Sequence, residues 1–259
     1  MCAEWWSHLS DDHRNLRVNS RVLLLLERCN MIKTDNPELS RLILNHLSDK
    51  YKLKQPREDI HLSTLVYCLT RSFFDAHSAV EPTDEELMLF ALGYGLQDVL
   101  TPPDATTPTL EEEGIIYRPD MLLCIPGNVG LQLVEVKTTR MSRKKGELPE
   151  TWVEYIKGGC HIRKTNSYEL VILYLMGNYA PPFPQISACR LEFEQQELDE
   201  NWQYLTTRRD VYQSHMADNT PPEPYMWCKV DDKGAMWECS KCRYKLNCAA
   251  ISLIGKKEA

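Results

Sequence analysis

One apolar segment near the middle of the chain carries both a carboxylate and an amine. It spans residues 131–137, Leu-Gln-Leu-Val-Glu-Val-Lys, and its β-rich composition predicts a strand. Side chains two residues apart on a strand share a face, so Glu135 and Lys137 are expected to point the same way. If they are buried, these groups must pair or hold a ligand, because desolvating an unpaired charge is costly. The fold therefore has to bring a suitable partner to this face of the strand.

A second carboxylate is expected across a hairpin from this strand. Residues 115–124 are also β-rich, and Pro126-Gly127-Asn128 separates them from residues 131–137. Such a hairpin places Asp120 on the neighbouring strand. The carboxylates of Asp120 and Glu135, with the main-chain carbonyl of Val136, would then form an oxygen-rich site for Mg²⁺ or Mn²⁺. The alternative is a solvated Glu-x-Lys pair at a sheet edge, because that tripeptide alone is common.

The chemistry of such a site suits the hydrolysis of phosphodiester bonds. A divalent cation can polarise a phosphate oxygen and lower the pKa of a bound water. Lys137 beside the cation can hold the attacking water or stabilise the negative charge that develops on the phosphate.

The other segments predict a mixed sheet flanked by helices, which is an α/β core. Strands are expected at residues 169–176 and 186–193. Little periodic structure is expected from residue 221 onward. Helices are predicted over most of residues 1–60, after the capping box Thr83-Asp84-Glu85-Glu86, from Glu150 to about His161 and from Leu198 to about His215.

Charge and hydropathy limit where the chain can act. The 259 residues carry a net charge of −7 and a pI of about 5.6, whereas a simple electrostatic coat for DNA would be basic. No apolar stretch is long enough for a membrane span and the flanks of a signal peptide are missing, so a cytoplasmic protein without membrane contact is expected. Any DNA contact is expected at local basic patches: Arg140, Arg143, Lys144 and Lys145; Arg163–Lys164; Arg208–Arg209; and Lys241, Arg243 and Lys245.

The chain has ten cysteines, and two groups of them differ in their sequence surroundings. Cys124 and Cys189 lie in apolar runs and are expected to be buried small hydrophobic residues. Cys239, Cys242 and Cys248 have the spacing C-x2-C-x5-C, which is typical of ligands to a metal or a metal cluster. A fourth ligand is needed, and the candidates are the nearby Cys228, which would complete a zinc knuckle, and the distant Cys68.

Two motifs resemble those of a known nuclease family. Pro119-Asp120 and Glu135-Val136-Lys137 match the signature of the PD-(D/E)xK nucleases, and the match extends over about residues 58–250. The resemblance implies a restriction-endonuclease-like core. It gives Asp120 and Glu135 metal-ligand roles and Lys137 the catalytic lysine role. It also places Gln97, in Gly93-Tyr94-Gly95-Leu96-Gln97, where the family usually has a metal-binding histidine.

The cysteine pattern resembles that of the RecB-like iron–sulfur branch of this family. In that branch one cysteine precedes the nuclease core and three follow it with the same C-x2-C-x5-C spacing. The surroundings of Cys68, from Ser63 to Asp75, look like the approach to that first cysteine. The resemblance therefore implies a 4Fe-4S cluster held by Cys68, Cys239, Cys242 and Cys248. It divides the chain into a helical N-terminal region (1–57), a nuclease core (58–220) and an iron–sulfur tail (221–259).

The compact CRISPR-associated exonucleases, including stand-alone versions, are the most similar members of that branch. The resemblance implies a Mg²⁺- or Mn²⁺-dependent exonuclease, with some endonuclease activity, on single-stranded DNA or DNA ends. It also implies processing of spacer precursors, a CRISPR integrase partner and a homo-oligomer.

The sequence departs from the family's motifs at two places, and these departures leave other functions possible. Gln97 replaces the histidine, and Tyr155 and Gly159 occupy the places of the Gln and Tyr in the family's Gln-x-x-x-Tyr helix. A catalytically weak or inactive scaffold that binds DNA or a partner is one alternative. A zinc-ribbon protein with a coincidental Glu-x-Lys is another, and it requires zinc bound by Cys228 with the three clustered cysteines.

Overall fold

The structure is a computed structural model that describes residues 36–52, 59–126, 129–139, 148–175, 185–224, 237–240 and 242–258. The chain divides into two compact units, Met1–Leu42 and Ile43–Ala259. All elements from Ile60 onward belong to the second unit. Most of the first unit lies outside the described residues.

The described part of the chain contains both helices and strands, with a mixed sheet, which confirms the α/β class. The helices are α1 (Pro37–Lys52), α2 (Leu62–Val66), α3 (Leu69–His77), α4 (Asp84–Leu100), α5 (Glu150–Arg163), α6 (Gln195–Ala217), α7 (Trp237–Ser240) and α8 (Lys245–Glu258). The strands are β1 (Ile60–His61), β2 (Leu110–Glu112), β3 (Ile115–Tyr117), β4 (Met121–Cys124), β5 (Leu131–Thr139), β6 (Ser167–Tyr174) and β7 (Gln185–Glu192).

A mixed four-stranded sheet has the order β4-β5-β6-β7. β4 and β5 form the predicted antiparallel hairpin, with Met121 opposite Val134. β5 and β6 are parallel, so their connection must cross over the sheet, and α5 is that crossover. β6 and β7 are antiparallel. The central position of β5 explains why Leu133 and Val134 are buried.

The prediction of one strand over residues 115–124 was wrong. β3 pairs with β1 and β2 in a separate three-stranded sheet, whereas β4 belongs to the four-stranded sheet. Pro119 lies between them, and a proline has no N–H to donate to a strand ladder. The chain therefore changes sheets at Pro119, and Asp120 directly precedes β4 instead of lying within it.

Helix α5 packs very closely on the core through two glycines. A Cβ on Gly159 would lie 2.6 Å from Cζ of Tyr117, and one on Gly158 would lie 2.8 Å from Cδ1 of Leu62. Glycines weaken a helix in isolation, but here they allow an approach that a larger residue would block. Tight packing explains why the predicted helix from Glu150 forms despite them.

Several other predictions can be compared with the described residues. The capping box at Thr83 and Glu86 is confirmed at the start of α4. The expectation of little structure after residue 221 was wrong, because α8 covers Lys245–Glu258. Cys124 and Cys189 are exposed, contrary to expectation, because Cys124 ends β4 and Cys189 lies on the edge strand β7.

No helix in the described residues is long and apolar enough to cross a membrane.

Candidate active site and cysteine pocket

The hairpin register brings Asp120 and Glu135 together. Because Met121 pairs with Val134, Asp120 falls opposite Glu135 at the point where β4 begins. The N–H of Val136 donates to Oδ2 of Asp120 over 2.8 Å, and the Asp120 carboxyl is close enough for its charge to raise the pKa of Glu135. The N–H and the carbonyl of one strand residue point to the same side, so the Val136 carbonyl lies on the edge of β5 that faces β4. The carboxyls of Asp120 and Glu135 thus lie at the junction of β4 and β5, on the register that the hairpin sets.

Lys137 completes the group from the same face of β5. Its Nζ donates to Oε1 of Glu135 over 2.5 Å. Glu135 is 2% exposed, whereas 23% of the Lys137 side chain is exposed. The lysine therefore extends from the buried carboxylate toward the surface, where a substrate could reach it.

Gln97 contacts this group from the last turn of α4. Its Nε2 donates to Oδ1 of Asp120 over 2.9 Å. In this orientation the amide holds the carboxylate. Rotation of the amide by half a turn would instead present its carbonyl oxygen, the atom that a hard cation prefers.

Three tyrosines surround the site, and sequence reasoning missed two of them. Tyr168 on β6 donates its hydroxyl to Oε2 of Glu135 over 3.2 Å, and Tyr117 contacts the Tyr168 hydroxyl. Tyr155, already noted on α5, lies with its ring centroid 5.1 Å from Nζ of Lys137. The parallel pairing of β6 with β5 brings Tyr168 here, and a parallel partner strand leaves no local signal in the sequence.

The site holds more negative than positive charge when both carboxyls are ionised. Burial, with the nearby Asp120 charge, raises the pKa of Glu135 to about 7, although Lys137 opposes the shift. Burial also raises the pKa of Asp120, against the effect of Lys137. Burial alone would lower the pKa of Lys137, but Glu135 and then Asp120 raise it above its ordinary value. One amine therefore faces two carboxyls, and this oxygen-rich donor set fits an added divalent cation.

The four predicted cluster cysteines line one pocket, together with Arg71, Glu238 and Lys245. Cys68 precedes α3, and its N–H donates to Oε1 of Glu238 over 3.1 Å. Burial, and then Cys68, Cys242 and Cys239, raise the pKa of the Cys248 thiol to about 11. In the described residues no three His, Cys, Asp or Glu side chains are grouped so as to hold a single metal ion. Cys228 lies outside the described residues.

Protein contacts hold this C-terminal segment against α3. Nη2 of Arg243 lies 2.5 Å from Oδ1 of Asp75, and the Tyr244 hydroxyl donates to the same oxygen over 2.7 Å. The N–H of Val80 donates to the Tyr244 hydroxyl over 3.2 Å. Tyr244 is fully buried and stacks on Phe74 with ring centroids 5.2 Å apart. This docking places Cys242 and Cys248 beside Cys68.

Most of the basic residues proposed as DNA patches have other partners where the structure describes them. Arg208 is 2% exposed, and its guanidinium donates to the carbonyls of Leu65 and Tyr67 over 2.5 and 2.6 Å. Arg209 pairs with Asp210. Lys164 pairs with Glu112, and Arg243 with Asp75. The densest patch, Arg140 to Lys145, lies outside the described residues, as does Lys241.

No family model matches the sequence, and no curated protein matches it. Several solved structures are similar to the chain in architecture. The crystal structure of SSO0001 has a TM-score of 0.49 and 16% identity, and the alignment covers 82% of this chain and 97% of that one. An alkaline exonuclease (LHK-Exo) from Laribacter hongkongensis has a TM-score of 0.41 and 11% identity over 68% and 95% of the two chains. A phage related exonuclease from Haemophilus somnus 129PT has a TM-score of 0.41 and 11% identity over 62% and 96%. At such TM-scores the similarity assigns neither an activity nor a family to this chain.

Proposed function

We propose that this protein is a Mg²⁺- or Mn²⁺-dependent nuclease that hydrolyses phosphodiester bonds in DNA. One observation carries the proposal. The carboxyls of Asp120 and Glu135 meet at the start of the hairpin, and Lys137 lies 2.5 Å from Glu135 on the same face. The motif resemblance independently gives these three residues the same roles.

The oxygen donors of the site would hold the cation. The contacts of Asp120 with the Val136 N–H and with the Gln97 amide support a set made of Asp120, Glu135 and the Val136 carbonyl, and Gln97 could join it by rotating its amide. When bound, the cation would polarise the scissile phosphate and lower the pKa of a water. Both carboxylates must be ionised to bind it, and the raised pKa of Glu135 means that a proton competes for the site near neutral pH.

Lys137 would act on the phosphate or on the attacking water. The two carboxyls hold its pKa above the ordinary value, so the amine remains protonated at neutral pH. It can therefore donate to a phosphate oxygen as charge develops there. Tyr168 fixes Glu135, and Tyr155 packs against Lys137, so both groups are held in place before substrate binds.

We further propose a 4Fe-4S cluster in the cysteine pocket, bound by Cys68, Cys239, Cys242 and Cys248. The donor set supports this proposal, since four thiol side chains line one pocket and sulfur ligands select iron–sulfur clusters or zinc over Mg²⁺. The cluster's role would be structural, because it would join the C-terminal segment to the start of α3. The other ligand set, with zinc on Cys228, remains the alternative.

The finer assignments rest on the motif resemblance. We propose exonuclease action on single-stranded DNA or DNA ends, processing of spacer precursors with a CRISPR integrase, and a cytoplasmic homo-oligomer.

One anaerobic preparation tests these proposals together. Its visible absorption would be recorded, and labelled single-stranded DNA would be incubated with the protein in Mn²⁺, in Mg²⁺ and in EDTA. A brown protein whose cleavage requires metal is expected. Asp120→Ala and Lys137→Ala should abolish cleavage while the circular dichroism spectrum stays unchanged. A colourless protein with stoichiometric zinc would contradict the cluster.

A non-catalytic scaffold is the second candidate, and the Gln97 contact favours it. The Gln97 amide donates to Oδ1 of Asp120, and a bound cation would need that oxygen as a ligand. A brown protein that binds DNA but cleaves none with either metal would support the scaffold. Gln97→His would then distinguish the nuclease from the scaffold. If this variant gains cleavage, the glutamine is the cause of the missing activity.

A further inference from the structure

A small pocket lies beside the candidate active site. It has a volume of about 160 Å³ and is lined by His61, Leu62, Ser63, Ile116, Arg118 and Tyr155. Tyr155 lines this pocket and also contacts the candidate active site, because its ring centroid lies 5.1 Å from Nζ of Lys137. Arg118 is two residues before Asp120, a distance of about 7 Å in extended chain. The pocket is therefore a neighbour of the proposed metal site and has a different lining.

The lining of this pocket is suited to an anion. Arg118 supplies a permanent positive charge, His61 an imidazole and Ser63 a hydroxyl group. None of these described lining residues carries a carboxyl group, although the chain as a whole has a net charge of −7. By contrast, the pocket between α5 and α6 is lined by four glutamates, Glu150, Glu154, Glu197 and Glu200. The cationic lining next to the active site is thus a local departure from the acidic surface.

The charge of Arg118 is not neutralised by its hydrogen-bond partner. Its Nη2 and Nε donate to the hydroxyl of Thr109 over 2.9 and 3.3 Å. That partner is neutral, whereas Arg209 and Arg243 have carboxylate partners. The Tyr155 hydroxyl donates to the Arg118 carbonyl over 3.1 Å, which fixes the backbone at this position. Within the part of the chain that the structure describes, Thr109 is the side-chain partner of Arg118, so the charge of the guanidinium is available for a ligand.

We propose that this pocket binds a phosphate group of the DNA strand next to the phosphate that is cleaved. This inference rests on the proposed nuclease function and specifies how its substrate is held. The Arg118 guanidinium and the Ser63 hydroxyl are donors that match the oxygens of a phosphate. The volume suits a single phosphate group rather than a whole ligand, since pockets for drug-sized molecules begin at about 300 Å³.

Placing one phosphate here would set the position of the strand over Asp120, Glu135 and Lys137. Phosphate contacts fix register and orientation without reading the base sequence. The phosphate could be internal to the strand or could be the terminal phosphate of an end. In the second case the pocket would favour cleavage from a phosphorylated end.

Binding in EDTA tests the pocket without cleavage. The probes are a fluorescent thymidine oligonucleotide with a 5′-phosphate, the same strand with a 5′-hydroxyl, and a circular single strand. Arg118→Gln is expected to weaken binding of the 5′-phosphorylated strand about tenfold. The plot of log binding constant against log salt concentration should become less steep, by about 0.7 in slope. Arg118→Lys should recover part of the affinity because it restores the charge. Ser63→Ala should weaken binding less than Arg118→Gln, and it offers a second variant if the latter fails to fold.

Arg190→Gln is the matched control. It removes the same charge from the edge strand β7, where Arg190 pairs with Glu169, and it should leave both the affinity and the salt slope unchanged. A loss confined to the 5′-phosphorylated strand would identify a terminal phosphate, and an equal loss on all three probes an internal one.

If folded Arg118→Gln and Ser63→Ala bind all three probes like the parent protein, the pocket proposal is wrong. Failure of the nuclease proposal would have a different signature, since the parent protein would then show no cleavage in Mn²⁺ while its binding still depended on Arg118.

Discussion

Glu135 lies between groups that favour opposite protonation states. Burial and Asp120 favour the neutral acid, whereas Lys137 and the Tyr168 hydroxyl favour the carboxylate. The balance raises its pKa from 4.5 to about 7. A pKa that is higher in the folded than in the unfolded chain stabilises the fold below the unfolded value, and this stabilisation is lost as pH rises through the folded value.

Metal-free protein should therefore lose stability between about pH 4.5 and 7. The part due to Glu135 is on the order of 3 kcal/mol, and Glu135→Gln should remove it. Urea unfolding in EDTA at pH 5 and pH 8 measures the difference. An equal pH dependence in parent and variant would contradict the raised pKa.

Added Mn²⁺ should reverse this trend in the parent protein. At pH 8 the metal binds the ionised site and stabilises the folded state by mass action. Glu135→Gln should gain much less from the metal. If Mn²⁺ stabilises the parent and Glu135→Gln to the same extent, the cation does not bind at Glu135.

Tyr168 tests whether the hydrogen bond to Glu135 affects catalysis. Loss of this donor in Tyr168→Phe should raise the pKa of Glu135 further, because the hydrogen bond favours the carboxylate. The acidic limb of the pH–rate profile should then move to higher pH. Tyr174→Phe, on the same strand, is the control and should leave the profile in place.

At the scale of elements, sequence reasoning succeeded where the signal is local. The β-rich composition of residues 131–137 predicted β5, the capping box predicted the start of α4, and the turn residues predicted the hairpin. Sequence reasoning failed where tertiary contacts determine which strands pair and which side chains meet. The change of sheet at Pro119 depends on which strand pairs with β3, and Tyr168 reaches Glu135 only because β6 lies parallel to β5.

The two glycines of α5 and the glycines of α4 give a matched comparison at this scale. A Cβ at Gly159 would meet Tyr117 at 2.6 Å, whereas a Cβ at Gly93 would meet nothing within 4 Å. Gly159→Ala should destabilise the protein by about 1–3 kcal/mol, because the aromatic ring must move. Gly93→Ala should stabilise it by about 0.5–1 kcal/mol, since alanine favours a helix.

Thermal unfolding of both variants measures these changes. Because Tyr117 contacts Tyr168, Gly159→Ala should also reduce cleavage. A neutral Gly159→Ala would show that α5 does not approach Tyr117 as closely as the structure indicates.

At the scale of the whole molecule, protein contacts beside the cysteine pocket join the C-terminal segment to the core. Asp75 on α3 accepts from both Arg243 and Tyr244, and these residues lie between Cys242 and Cys248. Glu238 makes a further contact with the N–H of Cys68. The chain thus brings together two regions separated by about 170 residues, and a cluster ligated by Cys68 would need them to be adjacent.

Asp75→Asn should therefore lower cluster content although it alters no thiol. It removes the charge opposite Arg243, whose side chain is only 13% exposed, and should cost about 1–3 kcal/mol. Iron per chain and the visible absorption should fall, and limited proteolysis should cut the C-terminal segment sooner. Asp104→Asn, at an exposed loop position, is the control. If Asp75→Asn keeps full iron and the parent's protease resistance, the thiols alone hold the segment in place. The contacts of Asp75 would then follow from cluster binding and would not prepare the site for it.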